Sequence, residues 1–245
     1  MKLNLLFLFC FITGISFGQL NQKDSQKRKQ GKWEVFHKNT SIYKYKGQFK
    51  NDKPYGIFTY YYFSGRTKAK VNYKEGGRIT YSQVYHESSG KIKALGKYIN
   101  QKKDSTWTYF DNKGNVKSKE SYINNKLEGQ RVIYYEPYEG KYVVARYEYY
   151  KNNTLHGSFK EYHQNTKLKA EGNYVDGNYN GDIKYYYPNG KMERLERYKY
   201  AVKHGWWIFF DSTGKQVGTR LFWEGKLLKG KALEDKKAEL KAKRG

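Results

Sequence analysis

The sequence predicts an all-β fold: an elongated, twisted single sheet of about eight tandem antiparallel β-hairpin repeats. Three observations predict it. A start residue, usually glycine, recurs every 24 to 28 residues, an aromatic residue follows each start at a constant distance, and a second glycine marks a turn in most units. Helical periodicity is absent before the C-terminal tail, and only three prolines occur, which suits long hydrogen-bonded ladders.

Each of the eight units begins at a start residue. The starts are Gly31, Gly56, Thr80, Ser105, Gly129, Gly157, Gly181 and Gly205. The residue five positions after each start is aromatic, and we predict that these eight form the repeat core: Phe36, Tyr61, Tyr85, Phe110, Tyr134, Tyr162, Tyr186 and Phe210. The residue two positions after each start is apolar in six units, and the exceptions are Ser82 and Arg131.

A second landmark lies about nine residues into most units, where glycine supplies the positive φ of a tight hairpin turn. The landmarks are Gly65, Gly90, Gly114, Gly140, Thr166, Gly190 and Gly214. Eight or nine residues later a further aromatic marks a second strand: Tyr73, Tyr98, Tyr122, Tyr149, Tyr174, Tyr198 and Phe222. Connectors such as Asn124-Asn125 then lead to the next unit, since Asn tolerates the left-handed conformation of turns.

The pattern is clearest from Gly181 to Gly205 (GDIKYYYPNGKMERLERYKYAVKHG). It resembles the MORN repeat, and more closely the bacterial MORN-variant proteins that are often labelled antitoxin-like, over residues 31 to about 230. The resemblance implies successive hairpins with aromatics packed between neighbouring units, and it implies no single activity. Departures from the pattern in units 3 and 5 predict irregularity around Glu75–Gly90 and Glu136–Tyr150.

The two ends differ from the repeats. Residues 1–18 have the Lys2 charge, the apolar run and the small residues of a signal peptide, and the apolar run is shorter than the roughly 20 residues of a spanning helix. Residues 19–30 are a predicted basic linker, 31–230 the MORN-like repeat domain and 231–245 a basic tail, either a short helix or a disordered extension. We therefore expect a bacterial protein that is secreted, periplasmic or in the outer envelope, with no transmembrane segment after cleavage.

The formal charge of +25 favours anionic partners. We expect a protein or an anionic envelope component, namely lipid, lipopolysaccharide or acidic glycan, and we do not expect nucleic acid in such a compartment. Cys10 is the only cysteine and leaves with the signal peptide, so the mature chain has neither a disulfide nor a thiolate metal site.

Basic residues follow the turn landmarks. The residue after the landmark is basic in six of seven units, and a lysine two residues further on recurs in four. The predicted anion- or partner-binding residues are Arg66, Lys68, Lys91, Lys93, Lys117, Lys141, Lys167, Lys169, Lys191 and Lys215. The alternative is that Gly-Lys is a hairpin consensus, in which lysine also discourages edge-to-edge pairing.

No catalytic, metal-binding or cofactor-binding constellation is predicted. The five histidines fall at repeat positions, and the carboxylates share no spacing that would pair an acid with a base. The five tryptophans are either packed between units or available for stacking on sugars. We predict a non-catalytic binding or scaffolding module for a protein or an anionic surface. The alternatives are a cell-wall or glycan-binding module and an antitoxin-like or immunity partner.

Overall fold

A computed structural model describes residues 19–243, so the predicted signal peptide lies outside the described residues. It confirms the predicted fold class: this part of the chain forms one open antiparallel sheet of 21 strands in hairpin succession. A 3₁₀ helix spans Glu75–Gly77, and one α-helix, α1, spans Gly230–Ala242. The strands are β1 (Gln22–Lys23), β2 (Lys29–Phe36), β3 (Tyr43–Lys50), β4 (Lys53–Tyr61), β5 (Thr67–Lys74), β6 (Ile79–Tyr85), β7 (Ile92–Ile99), β8 (Lys102–Phe110), β9 (Val116–Ile123), β10 (Lys126–Tyr134), β11 (Val144–Lys151), β12 (Thr154–Leu155), β13 (Gly157–Tyr162), β14 (Leu168–Val175), β15 (Asn178–Tyr179), β16 (Gly181–Tyr186), β17 (Met192–Lys199), β18 (Val202–Lys203), β19 (Gly205–Phe210), β20 (Gln216–Trp223) and β21 (Lys226–Leu227).

The strands pair in chain order, so each hairpin lies beside the hairpins that precede and follow it. The two-residue strand β12 and the longer β13 both pair with β11, and β15, β18 and β21 repeat this arrangement at later connectors. The start residue lies one to three residues after the beginning of the first long strand in units 1 to 5 and opens that strand in units 6 to 8, and we number the units 1 to 8 by these starts. Repeat proteins in which a unit contacts only its neighbours are stabilised by the interfaces between units.

Seven of the eight start residues adopt positive φ, between +60° and +103°. Glycine suits that conformation because it has no Cβ to clash. Thr80 is the exception, and there β5 and β6 pair over six consecutive residues without a register shift. The predicted irregularity near Glu75 is instead confined to the 3₁₀ helix of the connector, where Gly76 and Gly77 take the positive φ.

The fifth unit contains the longest turn, and the predicted irregularity there lies between β10 and β11. Tyr138 and Lys141 form an isolated bridge within this turn. The extra residues shift the second strand, so that Tyr150, and not Tyr149, pairs with the start residue Gly129. Tyr149 is 38% exposed.

The residue two positions after the start is buried in six of the eight units, and this corrects the predicted repeat core. Phe58, Trp107, Phe159, Ile183 and Trp207 are at most 6% exposed. We call the face that carries them the core face. The eight aromatics predicted as the core lie three residues further on, and an odd spacing places them on the opposite, outer face. None of them is buried, and Phe36 is 46% exposed.

Core-face side chains are seated against glycines of the preceding strand. A Cβ on Gly96 would lie 2.1 Å from the nearest ring carbon of Trp107, and one on Gly47 would lie 2.3 Å from the Phe58 ring. Gly172 stands in the same relation to Ile183, at 2.3 Å. These three glycines do not need positive φ; they are required because the neighbouring unit's side chain occupies the space above them.

The aromatics of the second strands complete the core face. Tyr98 meets the Trp107 ring edge-on at a centroid distance of 4.8 Å, and Phe58 lies between Phe49 at 5.2 Å and Tyr73 at 4.8 Å. The Trp107 indole also donates a hydrogen bond of 3.1 Å to the carbonyl of Lys97 in the preceding unit. In units 2 and 4, rings therefore join the unit to the one before it, and in unit 4 an indole hydrogen bond adds to the contact.

Residues 19–30, predicted as a linker, cover the N-terminal edge of the sheet. The Asn21 side-chain amide donates to the Glu34 carbonyl at 3.0 Å, and its oxygen accepts the Glu34 N–H at 2.9 Å. The Asn21 side chain therefore makes hydrogen bonds that a neighbouring strand would make. It covers part of the β2 edge, which could otherwise pair with another chain. The Arg28 guanidinium holds the adjoining loop and lowers the pKa of Asp24 to about 2.

The predicted basic tail is largely helical, since α1 covers residues 230–242. The Lys236 ammonium lies 3.4 Å from the centroid of the Trp223 ring, a cation–π contact between the helix and the last long strand.

We predict that Gly96→Ala destabilises the fold by about 1 to 3 kcal/mol, because the new methyl group overlaps the Trp107 ring and overpacked cores carry costs of that size. Urea unfolding monitored by tryptophan fluorescence measures it. Gly218→Ala is the matched control, since nothing lies within 4 Å of its Cβ position and we expect a change within about 0.5 kcal/mol. Equal effects of the two substitutions would contradict the seating of Trp107 on Gly96.

Candidate functional site

Four of the predicted binding cations hold successive turns together. Lys91 and Lys167 donate through Nζ to the carbonyls of Lys113 and Asn189, at 2.6 and 2.8 Å, in the turn of the next unit. Lys191 makes the same bond to Thr213, and Arg66 donates to the carbonyls of Glu87 and Ser88. We call these contacts turn clasps. They favour the hairpin-consensus interpretation for these four residues.

The other six predicted cations form no turn clasp. Lys169 forms an ion pair with Glu161 at 2.6 Å. Lys93 borders a recess beside Arg66, and the Lys68 ammonium lies 5.8 Å from the Tyr62 ring. Lys117, Lys141 and Lys215 are exposed, the last two in the turns of units 5 and 8. A binding role for these residues stays a prediction.

A second row of contacts runs beside the turn clasps. The residue six positions after the start is His or Tyr in six of the eight units, and its ring bonds the backbone carbonyl of the next unit's outer-face aromatic. The pairs are His37 with Tyr61, Tyr62 with Tyr85, His86 with Phe110, Tyr135 with Tyr162, His163 with Tyr186 and Tyr187 with Phe210, at 2.7 to 3.2 Å. Since a carbonyl only accepts, the Nε2 of each of these histidines carries the proton. We call this row the ring clasps.

The remaining histidines also have structural partners. His156 Nδ1 lies 3.3 Å from Asp176 Oδ1, and the His204 ring lies 4.3 Å from the Trp223 ring. Within residues 19–243, no three His, Asp or Glu side chains are grouped so that they could hold a metal ion. No helix in this part of the chain is long and apolar enough to cross a membrane.

Four of the five tryptophans are engaged in contacts within the chain. Trp107 and Trp207 are buried, and the indole of the half-buried Trp33 donates to the Gln30 carbonyl at 3.1 Å. Trp223 lies between His204 and Lys236. Trp206 is half-buried, and the glycan-binding alternative stays a prediction.

The outer face of units 1 to 4 carries lysines that sequence reasoning did not select. Lys46, Lys70 and Lys119 lie in one cross-strand row, with Thr59, Gln83, Leu95 and Thr108 between them. Lys97 lies in the neighbouring row beside Tyr81. These four residues form what we call the lysine row. Strand alternation could have revealed these lysines in the sequence, because residues adjacent to a core-face residue point to the outer face.

A shallow groove of about 730 Å³ follows this row across units 2 to 4. Lys70 and Lys97 lie along it, together with the amides of Asn72 and Gln83. Tyr81 also lines it and is 53% exposed. The groove therefore combines positive charge with hydrogen-bonding groups on a rigid sheet.

Positive charge is concentrated in this half of the repeat domain. Residues 31–123 contain 19 Lys and Arg against 7 Asp and Glu, whereas residues 126–230 contain 18 against 12. In the second half, Arg197 lies 3.0 Å from Asp182 and Lys184 lies 3.9 Å from Glu171, whereas Lys160 has no carboxylate within 4 Å among the described residues. In the lysine row, Lys46 lies 3.2 Å from Glu34 and Lys97 lies 3.8 Å from Asp104, while Lys70 and Lys119 have no carboxylate within 4 Å among the described residues.

On the core face, charged side chains replace the aromatic ladder at unit 5. Arg131 lies 3.2 Å from Glu120 and 3.3 Å from Glu148, and Arg146 lies 2.6 Å from Glu148 and 3.2 Å from Glu161. The Glu148 side chain is only 6% exposed and also accepts the Tyr150 hydroxyl at 2.9 Å. We call these five charged residues the central ion network. It neutralises the charges that interrupt the apolar core.

We predict that Tyr187→Phe lowers the free energy of unfolding by about 1 kcal/mol, because it removes the ring clasp to Phe210 and leaves the ring in place. Urea unfolding provides the measurement. Tyr200→Phe is the control, since Tyr200 is 66% exposed and its hydroxyl has no partner among the described residues. A Tyr187→Phe stability equal to that of the control would show that the clasp contributes nothing.

We predict that Glu148→Ala costs about 3 kcal/mol, because it leaves two partly buried guanidinium groups without their shared carboxylate. Thermal and urea unfolding should agree on this loss. Glu136→Ala removes a carboxylate whose ion pair with Lys113 is well exposed, and it should cost less than about 1 kcal/mol. A small effect at Glu148 would mean that the network does not hold the centre of the sheet.

The fold defines the class of this protein: an open sheet of tandem β-hairpin repeats, joined unit to unit by rings, turn clasps and ring clasps. No family model and no curated protein matches the sequence. The resemblance to MORN-variant repeats therefore stays a prediction, and so do the antitoxin-like and immunity hypotheses that derive from it.

Proposed function

We propose that this chain is a non-catalytic binding module and that the lysine row on the outer face of units 1 to 4 docks on an anionic surface. The observation that carries the proposal is the presence of Lys70 and Lys119 without a carboxylate within 4 Å among the described residues, in the half of the domain with the larger positive excess. The predicted signal peptide is consistent with an envelope location, where lipid phosphates and acidic glycans are abundant.

The spacing of the lysine row suits a surface with many charges. Neighbouring strands lie about 4.8 Å apart, so Lys46 and Lys70, two strands apart, are separated by about 10 Å. Lys119 lies four strands beyond Lys70, at about 19 Å. One cation every one or two units gives several simultaneous weak contacts. The sheet fixes the backbone positions of these lysines before binding. The turn-edge cations contribute less in this proposal because the turn clasps engage four of them.

We predict that replacing Lys70, Lys97 and Lys119 together by Gln weakens binding to vesicles of phosphatidylglycerol and phosphatidylcholine about a hundredfold. The reason is that each lysine near an anionic membrane contributes about 1 kcal/mol, and about 3 kcal/mol corresponds to that factor. Co-sedimentation at 50 mM and 300 mM salt measures the affinity. Wild-type binding should fall steeply with salt, because exposed charges are screened within about 10 Å at 0.1 M.

The control replaces Lys151, Lys199 and Lys226 by Gln, which removes the same net charge from the C-terminal half. It should retain wild-type binding within a few-fold. Equal losses in both triple variants would show that net charge alone drives the association. Binding that does not change with salt would exclude the electrostatic mechanism.

A further inference from the structure

The core face is interrupted at unit 3, and the interruption leaves a recess. Units 2 and 4 place Phe58 and Trp107 two residues after their starts, but unit 3 has Ser82 there. Phe58 lies over Gly47 and Trp107 lies over Gly96, so each ring leans toward the strand before its own. A ring at position 82 would instead meet Val71, whose side chain occupies the place that Gly47 and Gly96 leave free. The recess at this place has a volume of about 600 Å³ and opens to solvent.

Hydroxyl groups form the floor of this recess. Ser82 is 5% exposed and Thr80 is 9% exposed, and both line the recess. Neither hydroxyl forms a hydrogen bond with any residue in the described part of the chain, and neither oxygen is fully enclosed by protein. Two hydroxyls without a protein partner on the floor of an open recess are therefore available to bond a ligand.

The walls are aromatic and uncharged. Tyr60 and Tyr73 stand on one side with their hydroxyl oxygens 2.7 Å apart, and Tyr98 stands on the other. Burial raises the pKa of Tyr60 and of Tyr98, so both phenols are neutral near pH 7. No lining residue among those that the structure describes carries a charge. The recess is therefore suited to a neutral ligand that is apolar on its faces and hydroxylated at its edges.

We propose that this recess binds a pyranose ring of an uncharged glycan. A pyranose presents C–H groups to aromatic walls and hydroxyl groups to Thr80 and Ser82, and its ring is similar in size to the aromatic ring that unit 3 lacks. A purely apolar aromatic ligand would leave the two floor hydroxyls unpartnered. The site lies on the core face, opposite the lysine row, and does not depend on the proposed anionic docking.

The test uses Ser82→Phe in the full chain, which places in unit 3 the residue that unit 2 carries at the same position. Isothermal titration and saturation-transfer NMR with neutral trisaccharides of glucose and of N-acetylglucosamine measure binding. We expect the wild-type chain to bind at least one of them and Ser82→Phe to lose at least tenfold in affinity, with a cooperative thermal transition that shows the variant remains folded. Thr80→Val, which keeps the shape and removes one hydroxyl, should weaken binding several-fold.

Gln83→Ala is the control, because Gln83 is the neighbour of Ser82 on the outer face and should leave sugar binding unchanged. Ser82→Phe should also bind anionic vesicles as the wild type does, which separates this site from the lysine row. Binding of neither trisaccharide, or equal binding by wild type and Ser82→Phe, would overturn the proposal. Loss in Ser82→Phe of binding to indole or adenosine, without sugar binding, would overturn the assignment to a pyranose.

Discussion

Each hairpin of this sheet has too little apolar surface to bury on its own, and its stability depends on the side chain that it places over the backbone of the preceding unit. The contact is closest where the preceding strand has glycine: Trp107 on Gly96, Phe58 on Gly47 and Ile183 on Gly172. Because units touch only their neighbours, the fold is a chain of such interfaces, and the loss of one weakens the sheet locally. This constraint explains why so many aromatic residues are needed in a sheet with few fully buried positions.

The same constraint governs the polar residues at the edge of the sheet. Successive hairpins leave turn carbonyls exposed at a regular spacing, and a long side chain from the preceding unit can reach each of them. Lysine, arginine, tyrosine and histidine do so at recurring positions, as with Lys91 on Lys113 and Tyr187 on Phe210. A residue that repeats with the unit is therefore more often engaged in joining units than in binding a partner. Partner-binding residues are better sought among exposed side chains without an internal contact, as Lys70 and Lys119 are.

The regular spacing of starts and turns was enough to predict the hairpins, their order and the open sheet, because these depend on local turn chemistry. It was not enough to predict which face is buried. The aromatic five residues after the start is the more regular signal, yet Phe36 is 46% exposed while Trp107 is 2% exposed. In units 2, 4 and 7 a glycine of the preceding strand makes room for the side chain two residues after the start. Pairing of residues such as Gly96 and Trp107 across adjacent units depends on register, and the repeat spacing alone does not specify register.

Units 3 and 5 have a polar residue two positions after the start, and they differ in how the surrounding side chains compensate for the missing apolar side chain. In unit 5 the position is occupied by Arg131. Its charge is stabilised because Glu120 and Glu148 flank it on the adjacent strands. At Ser82 the neighbours supply no replacement, and Tyr60, Tyr73 and Tyr98 remain around an open recess. An unfilled position leaves apolar ring surface in contact with water, which is unfavourable in the absence of a ligand. A bound ring would cover the three tyrosines and bond the two floor hydroxyls, which is the physical basis of the proposed site.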